Sequence, residues 1–334
     1  MKHTAMAIAT ILLSVSNLFG QENEHRNFIT KLFSVQTDTT YIAEGSNALS
    51  IKPYGKGEQG LTSFEYSDTA NNVNYSFRIN DVITFLVGLN ISYKGFSFGY
   101  DVNPQTIFHH KHNTGYNLDF CYYGHKLGFD LFFSTKDKAQ VRDAEDNKLY
   151  DGTVNCFSTS RFQASAYYVL RNNIFSLPAI FTQSMVQKKS AGSLIFGVNA
   201  TNTLIVLNSS KVPAELDSIF STSTMFKHFR QTMVGLSCGY GRNIVRQHFL
   251  FHWSAQPYLP IYMSKKIRII NNESINSDVW DINIGLKVRG AMHWYYKRHS
   301  VNMNLVTDFT IIDQPPLEAL DAFVRLYLSY RYVF

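Results

Sequence analysis

Cysteine is scarce, charge is thin and no long apolar run exists. Each shortage removes a class of protein. The 334-residue chain holds three cysteines, Cys121, Cys156 and Cys238. An odd, scattered set builds no disulfide framework, and no two of them stand at metal-ligand spacing. Charged residues make up 17% of the chain, against about 25% in an average soluble domain. After the N-terminus no window approaches the ~18 consecutive apolar residues of a membrane-spanning helix. If the chain crosses a bilayer it must therefore do so as a closed sheet, because an open strand leaves backbone groups unpaired in lipid. Net charge is +6, but the basic residues are scattered rather than gathered on one element, which argues against nucleic-acid binding. The positive balance reads as a solvated surface, or alternatively as attraction to the phosphates of a lipopolysaccharide surface.

Aromatics are plentiful, at 15%, while mean hydropathy is close to neutral. A barrel with one lipid-facing and one wet side combines these features, because the two faces alternate along every strand. The N-terminus reads as a secretory signal peptide over residues 1–20. Lys2 and His3 give the basic start, Ala5–Leu18 the apolar stretch, and Gly20 the small residue before the cut. Residues 21–334 then form a single barrel domain. Within it, 21–82 make either an irregular N-terminal segment or extra strands.

Period-two alternation dominates the rest of the chain. Val87, Leu89, Ile91 and Tyr93 alternate with Gly88, Asn90 and Ser92, and the chain returns after Lys94-Gly95 as Phe96, Phe98, Tyr100 and Val102. Similar runs recur up to Val324, Leu326, Leu328, Tyr330, Tyr332 and Phe334. That last segment resembles the assembly signal of bacterial outer-membrane barrels. The resemblance implies pairing of the final strand with the first and recognition by the barrel-assembly machinery. The reading is all-β: an antiparallel transmembrane outer-membrane barrel of about twelve strands (10 to 14), with lipid and lipopolysaccharide as its surroundings. Phe175–Gln187 and Ser190 to about Leu207 count among the strands. That count has a conflict. Working back from a periplasmic C-terminus puts the short Arg171–Asn173 turn outside and the longer Thr135–Val154 connection inside, the reverse of the usual pattern.

Candidate chemistry is sparse. His109-His110-Lys111-His112 could ligate a metal, but adjacent histidines in a polar loop without a nearby carboxylate or cysteine form no recognisable site. His248 and His252 are four apart, which on a strand separates them by roughly 13 Å. His299-Ser300 is the nearest Ser–His pair for an embedded hydrolase, yet neighbours on a strand face opposite ways. No Gly-x-Ser-x-Gly turn occurs, and no cofactor motif is present. The expectation is no catalytic residue, no metal and no cofactor. On the inward side stand Asp119, Asp130, Arg161, Gln163, Lys287, Arg289, Asn302, Asn304, Asp308, Arg325 and Arg331. They are read as lumen-lining. They suit a water-filled pore with selective charges, or equally a narrow lumen closed by paired charges and hydrogen bonds.

Three stretches carry a family resemblance: Tyr167-Tyr168-Val169 with Asn172–Ser176, then Gln187-Lys188-Lys189-Ser190-Ala191-Gly192-Ser193, then Gly239-Tyr240-Gly241. On these the chain resembles the domain of unknown function 4421 family, whose members are uncharacterised exported bacterial proteins. The resemblance supplies no activity. Physically the Gln187–Ser193 run reads as a wet turn. The functional expectation is a narrow pore or membrane scaffold. The alternatives are an outer-membrane lipase or protease, and a secreted soluble β-sandwich that binds a ligand.

Overall fold

The computed structural model describes residues 37–45, 49–68, 73–104, 115–137, 139–143, 154–214, 226–269, 274–278, 284–312 and 317–332. The expected signal peptide and the His109–His112 cluster lie outside these residues. In chain order the strands are β1 (Ile42–Glu44), β2 (Ser50–Asp68), β3 (Val73–Asp81), β4 (Thr84–Tyr93), β5 (Phe96–Val102) and β6 (Tyr116–Tyr123). Then come β7 (Leu127–Lys136), β8 (Ala139–Asp143), β9 (Phe157–Val169), β10 (Met185–Gln187), β11 (Ala191–Leu207) and β12 (Phe226–Arg246). The last are β13 (Phe249–Ile269), β14 (Ser274–Asp278), β15 (Ile284–Tyr296), β16 (His299–Ile312) and β17 (Leu317–Tyr332). A short helix, α1, spans Pro178–Phe181. Among the described residues no helix is long and apolar enough to cross a membrane.

Among the described residues, twelve strands pair antiparallel in one unbroken ring: β2, β4, β5, β6, β7, β9, β11, β12, β13, β15, β16 and β17. The ring closes where Leu317–Ser329 of β17 runs against Tyr54–Tyr66 of β2. Closure leaves no unpaired edge within the ring of twelve, which a barrel in lipid requires. The alternation sets the faces. Leu89, Phe98, Trp253, Leu259 and Leu328 are exposed on the outside, while Asp101, Asn117, Arg161 and Lys287 are buried on the inside.

Short turns gather at one end, here the turn end. Lys94 and Gly95, with φ of 47° and 87°, join β4 to β5. Two left-handed residues in a row make the type I′ hairpin whose twist matches the strands. Two-residue turns also join β12 to β13 and β15 to β16. Long connections gather at the opposite, loop end, where β3, β8 and β14 extend the wall beyond the ring.

One expected strand is absent. Phe175–Gln187 contributes no strand to the wall. The connection from β9 to β11 instead leaves the turn end, folds back into the barrel and returns. Pro178 explains part of this, since it cannot donate to a ladder and suits the start of a helix, where it stands. Removing that strand resolves the parity conflict: the 170–190 connection lies at the turn end and the 137–156 connection at the loop end. The count of twelve is restored by β2, which lies within 21–82, the stretch for which the sequence offers either an irregular segment or extra strands.

Inside the wall, three tyrosines lie across directly paired glycines: Tyr54 on Gly88, Tyr167 on Gly128 and Tyr258 on Gly285. A Cβ on Gly285 would collide with the Tyr258 ring. The missing side chain lets that ring cross β15 and its hydroxyl meet Thr310 Oγ1 on β16 at 2.6 Å. Gly285→Val therefore should destabilise the barrel by about 1–3 kcal/mol through overpacking, despite valine's preference for strands. Urea titration of the unboiled band would measure the loss.

Candidate functional site

The lumen is the place where charged side chains converge. Its centre is built on β2. Lys56 is buried, and its Nζ stands 2.7 Å from Asp101 Oδ2 on β5, 3.4 Å from Asp119 Oδ2 on β6 and 3.6 Å from Glu58 Oε2. The Tyr54 hydroxyl donates to Asp101 Oδ2 at 2.8 Å, and Asn117 Nδ2 donates to Glu58 Oε2 at 2.7 Å. Lys136 Nζ stands 3.3 Å from Glu58 Oε1. The Phe132 and Tyr327 rings cover the Lys56 ammonium at 5.2 and 5.3 Å. Aromatic faces shield the cation from water and strengthen its attraction to the carboxylates.

A second set of contacts spans the lumen. Arg161 on β9 donates to Asp321 on β17 at 2.7 Å and to Thr62 Oγ1 at 3.0 Å. Arg325 on β17 donates to Gln163 Oε1 on β9 at 3.1 Å, and its guanidinium lies 4.0 Å from the centre of the Phe132 ring on β7. In the strand order β9 and β17 stand six apart in the ring of twelve, that is, opposite each other. A round ring of that size has a backbone diameter of about 24 Å. An arginine and an aspartate cannot span that. The barrel is therefore flattened, with β9 and β17 facing across its short axis, and the side chains of opposite walls touch.

Each residue read as lumen-lining has a place in this network or beside it. Arg161, Gln163, Asp119 and Arg325 form the cross-lumen belt. Lys287 Nζ donates to Ser165 Oγ at 2.6 Å and stands 3.5 Å from Asp308 Oδ1. Asp308 Oδ2 also faces Arg325 at 3.5 Å. Arg289 on β15 pairs with Asp130 on β7, again across the ring, and lies 5.2 Å from the Tyr167 ring. Asn304 lines a cavity of about 150 Å³ between the belt and the turn end. Asn302 and Arg331 instead hold a plug. The sequence reading missed Tyr54, Lys56, Glu58, Asp101, Lys136 and Asp321. The alternation of polar residues from Lys52 to Thr62 was the signal for the first three.

The plug is the 174–187 connection. Asn302 Nδ2 donates to Ile180 O at 2.7 Å, Lys52 Nζ to Thr182 O at 3.2 Å and Arg331 to Gln183 O at 3.3 Å. These donors meet the carbonyls at the C-terminal end of α1, where a helix offers its unpaired acceptors. Asn243 on β12 donates to Ser176 O at 2.8 Å. The Phe181 ring stacks on Tyr123 of β6 at 5.0 Å and meets His252 of β13 edge-on at 5.3 Å. Phe175, Leu177 and Ile180 are buried among Val169, Ile195, Leu250 and Ala291 of the wall.

Gln187, first residue of the distinctive motif, is the hub under the plug. Its Oε1 accepts from Ser176 N at 3.0 Å and Asn243 Nδ2 at 3.1 Å. Its Nε2 donates to Ile174 O at 2.7 Å and Lys189 O at 3.0 Å. Through β10 it pairs with Ile42 of β1, so residues 37–45 seal the plug from below. There Thr40 donates to Asp38 Oδ1 from its N–H at 2.9 Å and its hydroxyl at 2.7 Å, which holds that carboxyl below its usual range. Lys188 and Lys189 are exposed; Lys188 Nζ donates to Thr39 O at 3.1 Å. Ser190 Oγ accepts from Val245 N at 2.9 Å, Ala191 and Gly192 start β11, and Ser193 Oγ accepts from Arg171 N at 2.8 Å. The motif thus joins an exposed turn at Lys188–Ser190 to a polar clasp built on Gln187 and Ser193.

His299 and Ser300 do not form a pair. His299 is exposed and meets the Tyr330 hydroxyl at 2.7 Å, while Ser300 is buried on the inner face. Among the described residues no cluster of three His, Cys, Asp or Glu could hold a metal.

No curated protein matches the sequence. Among solved structures the chain is similar to the outer-membrane protease OmpT from Escherichia coli, at 8% identity and a TM-score of 0.45, over 87% of this chain and 99% of that one. It is also similar to the translocator domain of the autotransporter NalP from Neisseria meningitidis, at 9% identity and a TM-score of 0.34, over 99% of both chains. An outer-membrane channel from Pseudomonas putida F1 aligns at 11% identity and a TM-score of 0.33, over 87% of this chain and 97% of that one. The barrel assignment rests on the chain's own strand register. A family model described as a domain of unknown function (DUF4421) matches residues 36–332. With nearly the whole barrel inside that match, the chain belongs to the domain of unknown function 4421 family.

Proposed function

We propose that the protein is exported by residues 1–20, enters the outer membrane with its turn end in the periplasm, and serves there as a closed membrane scaffold. The assembly machinery would read β17, which pairs with both β16 and β2. One observation carries the choice of scaffold over open pore: Arg161–Asp321 and Arg325–Gln163 join opposite walls, so the solute path is blocked at the belt and again at the plug. A scaffold also suits the excess wall. β2, β12 and β13 run 19, 21 and 21 residues, where about 9–11 cross a bilayer. A hydrolase is not favoured: His299 and Ser300 face two ways, and Ser254 Oγ, although 3.1 Å from His252 Nε2, is buried with that histidine inside the barrel.

Wild-type protein in a planar bilayer should give no conductance steps under voltage, and regular steps would overturn the closed reading. The membrane placement has its own test. The protein should need detergent for extraction and should migrate faster on a gel unboiled than boiled. Recovery in the soluble periplasm would refute it.

A further inference from the structure

The outer face of β12 and β13 carries a feature that neither the belt nor the plug uses. Arg230 and Lys266 stand directly opposite each other in the register, and both are exposed. Like charges directly opposed across a strand pair destabilise a sheet. Among the described residues neither side chain has an ion-pair partner. The next outward pair is Thr232 with Ser264, and the next is Val234 with Tyr262. Asn202 Nδ2 donates to Thr232 Oγ1 at 2.6 Å, so the threonine proton is free to donate elsewhere. Arg230, Thr232, Tyr262, Ser264 and Lys266 together line a hollow of about 140 Å³. Two cations, two hydroxyls and a phenol facing one hollow is the chemistry of a phosphate site.

Depth decides which phosphate. Phe249 starts β13 at the turn end, and Leu259 and Ile261 are exposed, apolar and lipid-facing. From Phe249 to Tyr262 the strand climbs about 34 Å along a barrel axis tilted ~40° to it, while the apolar band is about 25 Å tall. Tyr262 therefore stands at the loop-side interface, with Arg230 and Lys266 in the headgroup layer beyond it. We infer that this face holds a phosphate of an outer-leaflet lipopolysaccharide molecule, whose acyl chains lie along Leu236, Leu259 and Ile261. The inference rests on the outer-membrane placement proposed above, which gel mobility and fractionation test separately.

The test uses the purified barrel in detergent and reads the midpoint of its heat-induced mobility shift. Added lipopolysaccharide should raise the wild-type midpoint by several degrees. Dephosphorylated lipopolysaccharide and inorganic phosphate should raise it by less than a third as much. Arg230→Gln/Lys266→Gln should lose the response while its lipid-free midpoint stays level or rises, because the like-charge pair is gone. If that double variant fails to fold, Lys266→Glu serves, since it replaces repulsion with an opposite-charge pair and should also abolish the response. An unchanged response in either folded variant overturns the site, as does full stabilisation by inorganic phosphate alone. Asp278 stands opposite Ser264 in the register. If Asp278→Asn lowers the lipid-free midpoint by several degrees, the cations already have a protein partner and the site is also overturned.

Discussion

Lys56→Met should cost the barrel about 3–5 kcal/mol, the penalty for leaving buried charge without its partner. The side chains of Lys56 and Asp101 are fully buried, so no water replaces the lost ammonium. Asp101 then faces Asp119 with only the Tyr54 hydroxyl to answer it. Glu58 keeps Lys136 and Asn117, which limits the damage to one side of the network. The double variant Lys56→Met/Asp101→Asn should recover more than half of the loss, because it removes the charge left unpaired and keeps a hydrogen-bond acceptor for Tyr54. Lys188→Ala, an exposed lysine on one backbone carbonyl, should change stability by less than about 0.5 kcal/mol. Urea titrations of unboiled mobility measure all three. A cost below about 1 kcal/mol for the single variant would mean that water reaches the belt and that the lumen is wet.

The barrel was legible because lipid enforces a simple rule on most strands: large apolar residues at every second position. β4, β5, β13 and β17 follow it. β2 does not, and its sequence leaves open whether it is a strand of the wall or part of an irregular segment. Its outward positions carry Pro53, Gly55, Gly57 and Gln59, too small or polar to signal a lipid face. Phe85 on β4 covers the gap, its ring 3.7 Å from where a Cβ on Gly57 would stand. The opposite error arose at Phe175–Gln187, where apolar residues signalled a strand but point into a plug. Two clues contradicted that reading: Pro178 inside the run, and the swap of short and long connections. The inward polar residues were legible from alternation alone. Their partners were not, because pairing across a lumen depends on which strands stand opposite, and strand number and flattening decide that. The sequence left the choice between open and filled lumen undecided for this reason. Gln187 stood out in the motif, but its role depends on three segments far apart in the chain.

Replacing residues 175–186 with a short Gly-Ser linker should leave the barrel closed to ions. The plug and the belt are separate obstructions, and only the first is removed. Burying Phe175, Leu177 and Ile180 contributes about 5–9 kcal/mol at most. At the lower figure a plug that could swing free would be out for less than about a thousandth of the time. The plug is therefore part of the folded core rather than a loose gate, and its deletion should lower the midpoint of unfolding sharply. Even so, Arg325 still lies on Phe132 and still reaches Gln163 across the short axis. Adding Arg161→Ala and Arg325→Ala to the plug deletion removes both arginines of the belt and frees Asp119, Asp308 and Asp321 to face water. That combined variant, and not Arg325→Ala alone, should give cation-selective conductance steps in a planar bilayer, because the carboxylates then outnumber their partners. Steps from the plug deletion by itself would show that the belt yields to water once the plug is gone. The plug alone would then be what keeps the barrel shut.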